Sequence, residues 1–311
     1  LVHLKLSAPR FDLLAIAIAK AKFAELLRNM ENNPQYQFGK HLIEALWRND
    51  PRHRLPSPSE IEQLDPQRAF AIYKDRFGNA GDFVFVIVGA VDLGTLRPLV
   101  ETYLGGLPAT RRKEIEKDLK VRKVPGVVKR SWQLGQAPKA MLSLEFHGDE
   151  AWTRDKDRDE YNLSAVLAIR LREVLREDKG GVYGVQVSGD LVRSPHGERS
   201  FSISFGCDPA RVDELVAATM SEIASIQKDG VAPEYLEKVK QAWLRLREKQ
   251  LRENPFWARW LLTSYRYGDD PAIVLDPNKM VERATSENVK AAARRYLDAK
   301  QYFLAVLLPE K

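Results

Sequence analysis

Apolar residues along the chain recur with two spacings that alternate in blocks. Helical spacing is clear over residues 11–26 and again over 157–176, where apolar positions return every three or four residues. Runs rich in β-branched and aromatic residues separate such stretches, as at residues 83–88 and 302–308. The pattern therefore predicts a mixed α+β fold in which helices cover sheets.

The same spacing gives a more detailed assignment of elements. The predicted helices cover residues 11–26, 34–47, 66–77, 93–104, 157–176, 209–228, 233–260, 277–283 and 287–297, and a further short helix begins at residue 60. The predicted strands cover residues 1–6, 83–88, 127–134, 140–146, 182–191, 201–205 and 302–308. The run at 83–88 has no polar alternation, so we expect a buried strand there.

Two parts of the chain follow the same order of elements. Residues 7–14 and 207–215 each follow a predicted strand and open a helix, and each helix leads to a second one that begins at Pro34 or Pro233. Repetition of whole blocks longer than 50 residues is typical of duplicated domains rather than a solenoid. We expect the chain to begin inside the first copy, at the counterpart of strand 201–205. Two unrelated α+β domains are the alternative.

This repeat gives a domain division. Residues 1–110 are predicted to be the C-terminal half of an α+β repeat domain, 111–125 a charged linker, and 126–311 a complete C-terminal α+β repeat domain. An incomplete first copy would leave an open sheet edge at residues 1–6, and an open edge is a site for self-association.

Charge and composition exclude several classes of protein. The 311 residues carry 49 Lys and Arg against 43 Asp and Glu, a net charge of +6, and the two signs are interspersed. A nucleic-acid surface would cluster its basic residues, so we do not expect nucleic-acid binding. No apolar run approaches the roughly 20 residues of a membrane-spanning helix. The single cysteine, Cys207, cannot form an intrachain disulfide and is compatible with either cytoplasm or periplasm.

A complete catalytic or metal-binding set is missing from the sequence. None of the five histidines lies in a His-Glu-x-x-His or His-x-x-Glu-His motif, which would place two imidazoles on one helix face. The nearest approach is His41 with Glu44, which we interpret as a helix-surface pair. Gly-x-Ser-x-Gly is absent, and neither Gly-Gly pair has the further glycines and lysine of a phosphate-binding loop. We therefore expect no catalytic residue and no metal ligand in this segment.

The most distinctive segment joins a helix to a strand through a charged turn that includes Gly180 and Gly181. It can bring the Arg176 guanidinium and the Tyr183 hydroxyl together at the sheet edge. Two such donors suit a substrate carbonyl or a developing oxyanion. The simpler interpretation is that Arg176 pairs with Glu173 or Asp178 and that Tyr183 packs at the end of the strand.

Several stretches resemble one protein family. The segment from Leu171 to Val185 resembles the Arg/Tyr motif of the pitrilysin/insulinase family of zinc metallopeptidases (inverzincins), in its bacterial PqqL-like branch. Similar stretches are Tyr73 to Gly89, Leu99 to Pro108 and Pro125 to Val128. The resemblance spans nearly the whole chain. It also accounts for the repeat, because members of this family have four homologous α+β domains, each with a mostly antiparallel sheet covered by helices.

The resemblance implies a role for the segment. Family members close two lobes around a peptide, with zinc on an inverted His-x-x-Glu-His helix in the first domain. Arg176 and Tyr183 would then hold substrate and stabilise the tetrahedral intermediate, and Gly180 and Gly181 would let the turn approach it. An exposed strand edge could add the substrate as a further strand.

The expected partners follow from the same resemblance. They are a peptide or protein substrate and an N-terminal zinc-bearing lobe, of the same chain or of a partner subunit. Zinc is expected as the cofactor of the intact metalloendopeptidase, and no cofactor is expected to bind to this segment. The periplasm is favoured over the cytoplasm as its location. A non-catalytic scaffold or partner subunit of the same family is the alternative.

Overall fold

The computed structural model describes residues 1–110, 112–178 and 182–310. These residues form two compact units, which we call the sheet unit and the helical unit. The sheet unit comprises Glu31–Leu55, Lys117–Arg247 and Leu275–Lys311. The helical unit comprises Leu1–Met30, Pro56–Glu116 and Glu248–Val274.

The sheet unit is built on five strands. They are β1 (Val127–Gln133), β2 (Ala140–Asp149), β3 (Val182–Val192), β4 (Glu198–Cys207) and β5 (Tyr302–Leu308). Their order is β1-β5-β2-β4-β3, with β1 parallel to β5 and every other neighbouring pair antiparallel. This arrangement confirms the α+β fold with a mostly antiparallel sheet.

Twelve α-helices occur in the described part of the chain. In chain order they are α1 (Val2–Ser7), α2 (Leu13–Glu31), α3 (Pro34–Leu46), α4 (Pro58–Glu62), α5 (Pro66–Phe77), α6 (Leu93–Tyr103), α7 (Arg154–Arg172), α8 (Val212–Asp229), α9 (Pro233–Gln250), α10 (Asn254–Tyr267), α11 (Asn278–Val281) and α12 (Ser286–Tyr296). Most begin close to the predicted positions because side-chain caps are present there. Asp65 accepts hydrogen bonds from the first turn of α5, and Ser57 forms a capping box with Glu60 in α4.

The main core lies on one face of the sheet, under α7, α8 and α12. Leu163, Leu167 and Leu171 of α7 are fully buried at helical spacing, and they pack in one cluster with Phe146 of β2 and Ile203 of β4. Complete burial of a Leu or Phe side chain contributes about 1.5–3 kcal/mol, so this cluster is the main apolar contribution to the stability of the unit.

Helix α3 covers part of the opposite face. Phe38 and Leu46 pack with Phe303, Ala305 and Leu307 of β5 in a second buried cluster. The rest of that face, toward β4 and β3, carries polar side chains. The sheet is therefore buried on both faces at β5 and on one face at β3, which positions β3 as a half-exposed edge strand.

In the helical unit, two predicted strands are wrong. Residues 2–7 form helix α1, and residues 83–88 join no strand; Val84, Phe85 and Ile87 are exposed rather than buried. A strand must pair its backbone N–H and C=O groups with a neighbour, and the described residues of this unit contain no strand to pair with. The helix at residues 2–7 also removes the strand edge on which the expectation of self-association rested.

A third correction concerns the long helix predicted over residues 233–260. It is interrupted at residues 251–253, and α10 starts anew with Pro255 in its first turn. Proline has no backbone N–H and disfavours helical geometry in the residue before it, so one helix cannot run through this point.

Candidate substrate-contacting site

Helix α7 ends in a wide turn that carries Arg176. The sequence predicts one helix to residue 176, whereas α-helical geometry ends at Arg172 and Glu173–Asp178 form a π-helical turn. Leu175 is fully buried in the main core, while Arg176 is exposed. The turn is therefore anchored on its inner side and presents a guanidinium to solvent. Single π-turns occur frequently at functional sites.

A polar network fastens this end of α7 to α8 and α9. Arg170 donates to both carboxylate oxygens of Glu222 at 2.8 and 3.2 Å and to the Tyr235 hydroxyl at 2.8 Å. Tyr235 in turn donates to Glu173 at 2.7 Å. The hydrogen bonds to Glu222 raise the pKa of Arg170, and the bond to Glu173 raises the pKa of Tyr235. These shifts indicate a network that favours charged Arg170 and protonated Tyr235.

This network bears on the simpler interpretation of Arg176. Glu173, one of its two suggested partners, directs the same carboxylate oxygen to Tyr235 at 2.7 Å and to Arg170 at 3.3 Å. The side chain of Asp178, the other suggested partner, lies outside the described residues. Through these two hydrogen bonds Glu173 already helps to hold the end of α7 against α9.

The strand side of the turn is anchored as well. Val182 and Val185 of β3 are buried, and the pairing of β3 with β4 is irregular between them, which indicates a bulge. Bulges commonly redirect side chains beside active sites. Arg176 and Tyr183 are therefore carried by the two elements that flank one turn. The Tyr183 side chain, Gly180 and Gly181 lie outside the described residues.

A buried acidic group on α7 is a feature that the sequence analysis missed. Glu160 is only 5% exposed, and its carboxyl group packs against Gly189 of β3, where a side chain would collide with it. Burial, with a smaller contribution from the nearby carboxylates Asp157 and Asp190, raises the pKa of Glu160 to about 8. Its position in the sequence could have revealed it, because Glu160 lies at helical spacing from Leu163 on an otherwise apolar stripe of α7.

The described residues do not fit a zinc site. No group of three or more His, Cys, Asp or Glu side chains among them is placed to hold a metal ion. His196 does lie within 3.7 Å of Asp149 and Glu198, but Arg122 and Lys123 already pair with those carboxylates. His41 lies 3.6 Å from Glu44, which confirms the predicted helix-surface pair.

The family model for the peptidase M16 inactive domain matches residues 63–243, more than half of the chain. The chain belongs to the peptidase M16 inactive-domain family. Two curated relatives agree with this assignment. The chain is 25% identical to the "Zinc protease PQQL-like" of Arabidopsis thaliana, covering 95% of this chain and 34% of the relative. It is 26% identical to the "Probable zinc protease PqqL" of Escherichia coli K12, covering 92% and 31%.

Solved structures show the same fold. The periplasmic protease PqqL from Escherichia coli matches with a TM-score of 0.80 at 23% identity, over 95% of this chain and 33% of that one. The ferredoxin protease FusC, solved in complex with Arabidopsis ferredoxin, matches with a TM-score of 0.79 at 18% identity, over 99% and 34%. Pitrilysin matches with a TM-score of 0.66 at 17% identity, over 98% and 34%.

The chain spans about a third of the length of the curated relatives it matches. In the described part of the chain no helix is both long and apolar enough to cross a membrane.

Proposed function

We propose that this chain is the non-metal lobe of a zinc metalloendopeptidase, which encloses a peptide and supplies Arg176 and Tyr183 to an active site in another lobe. The observation that carries the proposal is the turn after α7, where an exposed Arg176 projects from a π-helical turn beside the start of β3. Membership of the M16 inactive-domain family supports it, and so do the names of the curated zinc-protease relatives.

In this proposal the chain's own groups act on the carbonyl of the scissile bond. The Arg176 guanidinium and the Tyr183 hydroxyl donate hydrogen bonds to the oxygen on which negative charge develops during attack. Donors that are held in place before the reaction stabilise such charge without reorganisation. The network of Arg170, Glu173 and Tyr235 positions the turn, since it holds the end of α7 against α9.

Zinc would be held by the other lobe, either in the same polypeptide or in a partner subunit. It would supply a Lewis acid and an activated water, and this chain contributes no ligand to it in the proposal. The substrate is a peptide or protein, and nucleic acid is not a partner. We propose a periplasmic location by analogy with PqqL from Escherichia coli, which is a periplasmic protease.

The test uses the longer protein that contains this segment. Peptide hydrolysis should be lost on chelation, and Arg176→Ala should lower kcat/KM by roughly 100-fold, the effect of losing one transition-state donor. Arg172→Ala is the matched control, because Arg172 is an exposed arginine one helical turn earlier on α7. Equal kinetics for the two variants would refute the role of Arg176.

A non-catalytic scaffold of the same family is the second candidate. The family assignment by itself favours it as much as it favours an enzyme, because the matched model describes an inactive domain. A gene product with no His-x-x-Glu-His motif outside this segment, together with no peptide hydrolysis in the presence of any subunit that co-purifies with it, would support the scaffold and exclude the peptidase.

A further inference from the structure

Glu160 lies where α7, whose continuation carries Arg176, packs against β3, which carries Tyr183. It is on the core-facing side of α7, three residues before Leu163, and it is 5% exposed. Its carboxyl group lies directly against Gly189 of β3, so that a methyl group on this glycine would overlap the Oε1 atom. Because protein interiors are closely packed, this carboxyl group helps to set how near α7 and β3 can approach each other.

The surroundings of Glu160 favour the protonated carboxyl group. Its Oε1 atom is buried and has no hydrogen-bond partner among the described residues. The charged groups that face it are both negative, Asp157 from its own helix and Asp190 from β3, and no charge on α8 or α12 shifts its pKa. A further titratable neighbour is Tyr161, whose pKa is raised by burial and by Glu160. Burial, with the two carboxylates, raises the pKa of Glu160 to about 8.

Ionisation of Glu160 would change the packing of the two elements as well as the charge. A buried carboxylate without a hydrogen-bonded or oppositely charged partner is unfavourable, so it must gain water. Water can reach the contact with Gly189 only if the side chain or the strand moves. Such a movement alters the spacing of α7 and β3, and with it the relative position of Arg176 and Tyr183. A displacement of about 1 Å in a catalytic site can lower a rate about 100-fold.

We propose that protonated Glu160 is a positioning residue, which keeps α7 and β3 at the spacing that brings Arg176 and Tyr183 together. Ionisation of Glu160 then converts the site to a less active state. This inference rests on the proposed function and deepens it by adding a means of regulation. Glu160 makes no contact with the substrate in this scheme and acts only through α7 and β3. The intact enzyme should therefore lose activity in mildly alkaline solution.

The pH profile of peptide hydrolysis by the longer protein tests this role. Between pH 7 and pH 9 we expect kcat/KM of wild type to fall about tenfold relative to that of Glu160→Gln, whose amide mimics the protonated acid and does not ionise. Asp190→Asn should move the fall to lower pH, because Asp190, in addition to burial, raises the pKa of Glu160. Glu25→Gln, which changes an exposed glutamate of α2, should keep the wild-type profile. An equally large fall in Glu160→Gln would overturn the inference.

A purely structural role of Glu160 would produce a different pH dependence. The difference in unfolding free energy between wild type and Glu160→Gln is nearly complete at pH 8, because the carboxyl group ionises near pH 4.5 in the unfolded chain and near pH 8 in the fold. The predicted change in kcat/KM is instead centred at pH 8 and continues to pH 9. A wild-type protein that unfolds between pH 8 and pH 9, as followed by circular dichroism, would also overturn the inference.

Hydrogen exchange follows the packing of α7 on β3 without catalysis. In the wild-type longer protein, the amides of residues 185–191 should exchange several-fold faster at pH 9 than at pH 7, after correction for the intrinsic rate, and in Glu160→Gln they should not. Unchanged protection in wild type would contradict the proposed movement. This measurement involves no hydrolysis. An Arg176→Ala enzyme with unaffected kinetics would therefore refute the proposed function, while the exchange result would still decide whether Glu160 sets the spacing.

Discussion

The sheet unit and the helical unit contain similar apolar patterns but bury them to different extents. In the sheet unit, Phe146 and Leu163 are fully buried between a sheet and a layer of helices. In the helical unit, Leu14 is 72% exposed and Phe85 is 39% exposed, although each belongs to a clear apolar run. An apolar pattern specifies which side chains can be buried, and a second layer of structure decides whether they are.

The largest expected effect is on the two apolar cores. Phe146→Ala should lower the free energy of unfolding by about 3–5 kcal/mol, because it leaves a cavity in a packed core. Phe85→Ala, the matched change in the helical unit, should cost roughly 1–2 kcal/mol, because more than a third of this residue is already in water. Urea unfolding followed by circular dichroism measures both. Equal losses would show that the two units are equally well packed.

The second effect is the pH dependence of the sheet unit. The pKa of Glu160 is raised from its ordinary value of 4.5 to about 8. The wild-type fold therefore loses stability as pH rises from about 4.5 to 8, since the buried carboxyl must ionise. The free energy of unfolding of Glu160→Gln, relative to that of wild type, should rise by the order of 3 kcal/mol between pH 4 and pH 8. At pH 8 the variant should therefore be the more stable protein. A pH-independent difference between their melting temperatures would contradict this account.

His147 should produce the opposite dependence in the same unit. Burial lowers the pKa of this 3% exposed side chain to about 4. The neutral form is favoured by the fold, so stability should be present above pH 6.5 and be lost as pH falls toward 4. We expect a loss of about 2 kcal/mol over that range, largely absent in His147→Gln. Chemical denaturation at several pH values distinguishes the two proteins.

A smaller effect is expected from two glycines of β3. A side chain at Gly189 would collide with the Glu160 carboxyl, whereas nothing lies within 4 Å of one at Gly184. Gly189→Ala should cost about 1–2 kcal/mol, and Gly184→Ala should be close to neutral. The cost of Gly189→Ala should also fall when Glu160 is replaced by Ala, which a double-mutant cycle measures. Identical costs for the two glycine variants would mean that β3 and α7 do not pack closely at this point.

Much of the fold could be predicted because its signals are local. Helix α5 and strand β5 have the predicted bounds. Asp65 and Pro66 mark the start of α5, and a run rich in β-branched and aromatic residues marks β5. Residues 83–88 carry the same strand signal and form no strand, because pairing depends on a neighbour that no local pattern reveals.

The candidate site could be predicted only in part. The position of Arg176 after a long helix followed from its spacing, but the π-helical turn and the Arg170 network did not. That network joins residues from α7, α8 and α9, and contacts between distant parts of a chain leave no periodic signal. Glu160 was missed for a related reason, since a carboxyl on an apolar stripe is buried only where Gly189 leaves room.

The central claim is that this lobe supplies transition-state donors to an active site elsewhere, and Tyr183→Phe tests it most directly. The substitution removes one hydroxyl and keeps the aromatic ring. In the longer protein we predict a roughly 100-fold fall in kcat/KM for peptide hydrolysis, with unchanged thermal stability. Unchanged kcat/KM would contradict the account.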